Sequence, residues 1–261
     1  MSLAGAGDYL AVSERPGIRV TREALSMLHT RYAFAAPYCA GKDVLEVACG
    51  AGQGLGYLGG RSRRVVGGDC SGGLLAEARR HYDGRVPLLR LDAHALPFRA
   101  ASFDVVLLYE ALYYLASPAR FLGECRRILR AGGRLLLCTV NREWRDFNPS
   151  PLSTRYFSAG ELRALAEAEG FEAELYGAFP CAPGSPRDAL VSLARRAAVA
   201  LRLIPATMKG KEWLKRVFLG PLTALPAEIG GAMVPRGEPV ALAPGAAASA
   251  FKVLYLVGRP C

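Results

Sequence analysis

The sequence predicts an α/β protein with a doubly wound, mostly parallel sheet and helices on both faces. Three observations predict it. Residues Lys42–Leu58, KDVLEVACGAGQGLGYL, run from an apolar strand through a glycine-rich turn into a helix. That unit binds nucleotides at the carboxyl end of a parallel sheet. Two further apolar runs end in acidic residues, Asp69 and Asp92. Phe103–Leu108 is apolar except at Asp104, as a strand covered on both faces should be.

The 261 residues suffice for one large α/β domain with a substantial core. Apolar residues make up 51% and charged residues 21%, the balance of a soluble globular protein. No apolar run approaches the roughly 20 residues of a spanning helix. The opening MSLAGAGDYLAVSERPG lacks a basic region followed by an apolar block. No signal peptide is therefore expected, and the expected location is cytoplasmic. Seven cysteines (Cys39, Cys49, Cys70, Cys125, Cys138, Cys181, Cys261) are scattered without a C-x-x-C spacing. Buried thiols are expected, with neither a disulfide framework nor a metal site.

The elements follow in order. Asp8-Tyr9-Leu10 and Glu14-Arg15-Pro16-Gly17 read as a loose arm. Thr21–Phe34 is a helix, with Leu25, Leu28 and Tyr32 on one side. Val44–Val47 is the first strand. Cys49-Gly50-Ala51-Gly52-Gln53-Gly54 breaks it. Glycines at alternate positions turn the backbone tightly and put no Cβ in front of a ligand. Leu55–Leu58 opens the next helix.

Arg64–Asp69 is the second strand. An acidic residue about 20 positions after such a turn reaches the two hydroxyls of a ribose, and Asp69 is so placed. Ser71 is positioned to cap the helix Leu74–His81, leaving Asp69 free. Val86–Leu91 is the third strand and Ser102–Leu108 the fourth. Ser117-Pro118 supplies an N-cap and first-turn proline for the next helix. Ala131-Gly132-Gly133 is expected to stop that helix with a left-handed cap. Arg134–Val140 is the fifth strand. The loop Asn141–Tyr156 lies at its carboxyl end, where open α/β sheets build their substrate side. Trp144, Phe147 and Tyr156 could line an apolar pocket there. Ser158-Ala159-Gly160-Glu161 reads as a capping box for a helix running to Gly170. Phe171–Tyr176 is strand six and Ala250–Val257 strand seven.

Residues 183–249 separate those last two strands. They hold predicted amphipathic helices near Ala189–Ile204 and Lys209–Leu219. The net charge is +10, and Arg187–Arg216 carries eight basic residues against two acidic ones. Such a stretch can attract an acidic substrate, a membrane surface or nucleic acid, or form a solvated helix face. The expected organisation is an arm of residues 1–36, a core of 37–182 with 250–261, and a helical insertion of 183–249 over the substrate pocket.

The glycine spacing separates the nucleotide motifs. At the strand end it fails G-x-G-x-x-G, and no G-x-x-x-x-G-K-[ST] occurs. What fits is E-x-x-x-G-x-G: Glu46, Gly50 and Gly52. This resembles motif I of the class I (Rossmann-like) S-adenosylmethionine-dependent methyltransferases. Asp92-Ala93, followed by Leu96-Pro97-Phe98, is similar to the family's adenine motif. The run LRAGGRLLL at Leu129–Leu137 resembles the family as well. The resemblance covers roughly residues 42–180 and the last strand.

The resemblance implies a seven-stranded sheet with an antiparallel last strand and S-adenosyl-L-methionine as cofactor. It implies that Glu46 organises the pocket for the cationic methionine moiety, with the backbone of Ala48, Gly50 and Gly52 beneath. The family usually has glycine where this chain has Ala48. Asp69, with Cys70 beside it, would hold the ribose, and Asp92 and Ala93 the adenine. Tyr109 would lie beside the transferable methyl. In small-molecule members an N-terminal arm closes over the cofactor, which makes Tyr9, Arg31 and Tyr32 candidate pocket residues.

In-line attack on a sulfonium carbon asks the protein mainly for alignment and desolvation. An oxygen nucleophile often needs a base, commonly histidine. Only His29, His81 and His94 are available, none obviously at the methyl. Glu110, Tyr113 and Tyr9 are the candidates for orienting a substrate. Tyr9, Tyr32, Tyr113, Trp144 and Phe147 are the candidates for binding it. The expected reaction is methyl transfer to a nitrogen or oxygen of a small molecule, leaning to nitrogen, as in quinone-biosynthesis and natural-product enzymes. The alternatives are an RNA or protein methyltransferase and an NAD(P)-dependent oxidoreductase. Against nucleic acid, the position after strand four reads Tyr109-Glu110-Ala111-Leu112 and not [DN]-P-P-[YFW].

Overall fold

The computed structural model describes residues 9–181, 222–230 and 234–261. Strand β1 (Arg19–Val20) leads into helix α1 (Arg22–Cys39). The core then alternates β2 (Asp43–Val47), α2 (Leu55–Gly59), β3 (Arg64–Asp69), α3 (Gly72–Tyr82) and β4 (Leu88–Arg90). It continues with β5 (Phe103–Tyr109), α4 (Pro118–Ile128), β6 (Leu129–Val140), α5 (Ala159–Ala168) and β7 (Phe171–Pro180). Strands β8 (Thr223–Ala224), β9 (Val240–Leu242) and β10 (Phe251–Pro260) complete the described elements.

The main sheet has the order β4-β3-β2-β5-β6-β10-β7-β9. Strands β4 to β6 in this order are parallel, and β10 runs antiparallel to both β6 and β7. The sheet has eight strands and not seven: β9 adds antiparallel to the β7 edge. Three residues of strand in a Pro/Gly-rich stretch leave no periodicity to read. The winding reverses between β2 and β5, the switch point at which ligands bind in such sheets.

Alternation along the central strands builds two cores. Leu45, Val47, Val106 and Leu108 face one cluster, which α4 and α5 cover through Phe121, Leu122 and Leu162. Val44, Val105 and Leu107 face the other, covered by α1 and α3 through Leu28, Leu75 and Ala78. Successive side chains of a strand point to opposite faces, so two buried faces demand an apolar run.

Local signals place the helix starts. Thr21, Ser71 and Ser117 each accept a first-turn amide of α1, α3 and α4. Ser158 and Glu161 form the reciprocal capping box of α5. Two helix ends differ from expectation. Helix α1 runs to Cys39, through Pro37, because Ala35 and Cys39 continue its buried stripe. Helix α4 ends at Ile128 with Leu129 already extended, so Gly132 and Gly133 are not its cap. They lie inside β6, where the register against β5 shifts between Phe103 and Val105. A Cβ on Gly133 would stand 2.9 Å from Arg130 O.

The predicted helices Ala189–Ile204 and Lys209–Leu219, and the basic run Arg187–Arg216, lie outside the described residues. The described part of that insertion packs beside α1, α2 and α3. Strand β8 pairs with β1, the Ile229 amide donates to Gln53 O at 2.9 Å, and Glu228 faces His81 at 2.9 Å.

Candidate active site

At the carboxyl end of β2 the chain turns back on itself. Ala48 (φ +58°), Gly50 (+59°) and Gly52 (+81°) are all left-handed. For alanine that conformation costs roughly 1–2 kcal/mol. The turn is held on two sides. Gly50 N and Ser71 N donate to the two oxygens of Asp69 at 2.9 and 2.8 Å. Tyr82 Oη donates to Gly52 O at 2.6 Å and accepts from Gly56 N at 2.9 Å. Gly52 therefore serves the turn: a Cβ there would meet Tyr82 Cε2 at 2.9 Å.

A cavity of about 300 Å³ opens over this switch point. Of the residues expected at the cofactor, Glu46, Ala48, Gly50, Asp69 and Tyr109 line it. Of those expected at the substrate, Tyr9, Tyr32, Glu110 and Tyr113 line it, as does Arg31.

Other expected residues are not on its wall. Cys70 is buried beneath, with its carbonyl accepting from Arg90. Asp92 Oδ1 is turned to His94, accepting from its amide and from Nδ1, both at 2.8 Å. Ala93 is buried in the adjoining core. Trp144 lies under the Lys252 ammonium, 5.5 Å from the ring. Phe147 reaches the site only through Tyr156, which stacks on Tyr113 at 4.4 Å.

Glu46 is 1% exposed. Its Oε1 accepts from Tyr32 Oη at 2.7 Å, and its Oε2 has no partner. Burial pushes this carboxyl up to about 8, against the lowering effect of the Tyr32 hydrogen bond. Tyr32 is held in place by packing over Gly54, where a Cβ would fall 1.9 Å from its ring. Gln53 Nε2 is a second unspent polar atom on a cavity-lining residue, and Tyr109 Oη a third. Gln53 was not singled out from the sequence. Its only signal is that it is the polar residue among the glycines of the turn.

At the other side of the cavity Glu110 follows β5, also left-handed at φ +51°. Glu110 Oε2 accepts from Tyr113 Oη at 3.1 Å. Its Oε1 lies 3.6 Å from Arg31 Nη2 and 3.6 Å from Cys138 Sγ. Arg31 in turn donates to Glu14 of the arm at 2.7 Å. Burial raises the Glu110 carboxyl, and Arg31 opposes that rise. Burial alone would lower the Arg31 guanidinium, but Glu14 and Glu110 outweigh it and keep it charged.

Among the described residues no histidine lines the cavity. His94 binds Asp92 through Nδ1 and accepts the Ser117 amide on Nε2, which makes it a loop fastener. His29 Nδ1 donates to Val234 O, and His81 pairs with Glu228.

The donor set fits S-adenosylmethionine. Glu46 Oε2 is an unpaired acceptor for a cationic amine and Gln53 Nε2 an unpaired donor for a carboxylate. Asp69 accepts from the Gly50 and Ser71 amides and lines the same cavity. A Cβ on Gly50 would meet nothing within 4 Å, so the cavity floor there is bare backbone.

Comparison with known proteins agrees. A family model described as a methyltransferase domain matches residues 45–137. The chain is 40% identical, over 140 residues, to a protein of Mycolicibacterium smegmatis named as a probable S-adenosylmethionine-dependent methyltransferase. That match covers 52% of this chain and 54% of the relative. It is 36% identical over 167 residues to a phthiotriol/phenolphthiotriol dimycocerosates methyltransferase of Mycobacterium ulcerans, covering 59% and 58% of the two chains. The chain thus spans just over half the length of these curated relatives. An S-adenosylmethionine-dependent methyltransferase structure from Mesorhizobium loti shares the fold, with a TM-score of 0.52 over 99% of this chain and 100% of that one. Its 17% identity speaks to the fold alone. Residues 45–137 thus resemble a methyltransferase domain, on a fold shared with a solved S-adenosylmethionine-dependent methyltransferase structure.

Proposed function

We propose that this protein uses S-adenosylmethionine to methylate an oxygen or nitrogen atom of a small molecule. The observation that carries the reading is the unpaired Glu46 Oε2 on the wall of a cavity shared with Gly50, Asp69 and Glu110. Bound there, the cofactor would supply a methyl group activated by a cationic sulfur.

The residues divide the remaining work. Glu46 pairs with the amino group, Gln53 with the carboxylate, and Asp69 accepts from the ribose hydroxyls. Asp92 and Ala93 are assigned the adenine, with Asp92 Oδ2 as the acceptor outside the His94 contacts. Tyr9, Tyr113 and Tyr114 close the acceptor side and exclude water. The relative named as a phthiotriol/phenolphthiotriol dimycocerosates methyltransferase supports a small-molecule acceptor. The glycine spacing and the domain match both speak against the nicotinamide alternative. Residues 1–36 as an arm, and 37–182 with 250–261 as the core, belong to the same reading.

The test is calorimetry with S-adenosylhomocysteine. The wild type binds, and Asp69→Ala binds at least about tenfold more weakly, as loss of hydrogen bonds to a charged group predicts. No binding to the wild type, or full affinity in the variant, contradicts the reading.

A further inference from the structure

The acceptor end of the cavity holds one fixed cation and two carboxylates. Arg31 lies between Glu14 at 2.7 Å and Glu110 at 3.6 Å. Both carboxylates thus contact Arg31, and Glu110 also accepts from Tyr113 Oη. The walls are flat. Tyr9, Tyr113 and Tyr114 line the cavity, with Tyr113 against Tyr114 at 4.6 Å and Tyr9 against Tyr114 at 5.5 Å. Aromatic faces of this kind accept a planar ring by offset or edge contact.

Glu110 directly follows β5, with its amide donating to Cys138 O at 2.8 Å. Its left-handed backbone is a costly conformation for a non-glycine residue, of the sort that accumulates at working sites. Its side chain is fixed by Tyr113 Oη and Arg31 and still lines the cavity.

We infer that the methyl acceptor is a planar ring bearing a phenol- or enol-type hydroxyl, and that Glu110 takes the hydroxyl proton. This rests on the methyltransferase reading above. The acceptor oxygen forms its bond to the methyl carbon as the carbon–sulfur bond breaks. The electron pair of that bond stays on sulfur, which becomes a neutral thioether. The hydroxyl proton passes to the Glu110 carboxylate. Arg31 and Tyr113 are positioning residues for Glu110. Burial favours a carboxylate of raised basicity here, which suits a proton acceptor. The groups facing Glu110 are Arg31 of α1, Glu14 of the arm, Tyr113 of the turn after β5, Cys138 of β6 and Tyr255 of β10.

The experiment uses the full chain, S-adenosylmethionine, and two matched probe sets. The hydroxyl probes are 1,4-naphthohydroquinone, catechol and phenol; the amine probes are phenethylamine and aniline. Methylation on oxygen of at least one hydroxyl probe and of neither amine is expected. Glu110→Gln should lower kcat about a hundredfold, the scale of a lost general base, with the KM for S-adenosylmethionine unchanged. Glu110→Asp should recover part of that loss. In the wild type kcat rises with pH as Glu110 ionises; Glu110→Gln loses that limb. Independently of turnover, catechol titrated into protein loaded with S-adenosylhomocysteine should bind about tenfold more weakly to Glu110→Ala. Calorimetry with S-adenosylhomocysteine on the same samples separates the possible failures. No binding overturns the methyltransferase reading, and this inference with it. Intact binding with no methylated hydroxyl, with methyl on nitrogen or carbon, or with an unchanged kcat in Glu110→Gln overturns this inference alone.

Discussion

Tyr32 Oη donates to Glu46 Oε1 at 2.7 Å and leaves Glu46 Oε2 without a partner. A hydroxyl from α1 thus satisfies half of a carboxyl at the tip of β2. The other half is turned to a cavity and held near neutrality by burial.

Cofactor binding is therefore linked to protons. Glu46 is raised from 4.5 to about 8, so at pH 7 it is mostly protonated before a ligand arrives. Pairing with an ammonium group favours the ionised form and expels the proton. Calorimetry with S-adenosylhomocysteine at pH 7, in buffers of differing ionisation heat, should show release of up to about one proton per site. Glu46→Gln should abolish that release and weaken binding. The stability sign follows from the same shift. The contribution is fully present below 4.5 and lost as pH rises through about 8. The melting temperature of the ligand-free protein should fall over that window, less so in Glu46→Gln.

Gln53 should report the amino-acid end of the ligand alone. Gln53→Leu removes the unspent amide without adding bulk. It should weaken S-adenosylhomocysteine about tenfold, the value of a hydrogen bond to a charged group. It should leave 5′-methylthioadenosine, which lacks that end, unaffected. Equal losses for both ligands would place Gln53 elsewhere.

The turn residues predict opposite stability changes. Ala48→Gly relieves a left-handed alanine and should stabilise by roughly 1 kcal/mol, with binding of S-adenosylhomocysteine kept. Gly54→Ala puts a Cβ 1.9 Å from the Tyr32 ring, so the ring must leave and Glu46 loses its donor. Its melting temperature and its affinity should fall together, measured by thermal scan and calorimetry.

At the opposite rim of the sheet, Arg63 and Arg130 hold Asp43 down to about 2. The contribution is present above the ordinary value of 3.8 and lost as pH falls through about 2. Asp43→Asn should lower the melting temperature at pH 7, by roughly 2–4 °C, and make a smaller difference near pH 2. An equal loss at both pH values would assign the effect to packing and not to charge.

How much of this was legible varies by residue. Ser158 and Glu161 announce their helix because a capping box needs only a three-residue spacing. Asp69 could be placed at a strand tip for the same kind of reason. By contrast Gly132-Gly133 looked like a helix stop and proved to be part of β6, because a glycine pair serves both purposes. Asp92 also sits where a strand tip should be, yet which way its carboxylate faces was decided by His94 two residues on.

The sequence by itself determined the strand–turn–helix unit, the two-faced apolar strands and the helix caps, since each is a matter of neighbours a few residues apart. Only the tertiary structure decided that Tyr32 meets Glu46, that Glu14, Arg31 and Glu110 form one chain of charge, and that β10 inserts between β6 and β7. Those pairings join side chains on separate elements. They depend on strand order and on the left-handed bends at Ala48 and Glu110, which no local pattern encodes.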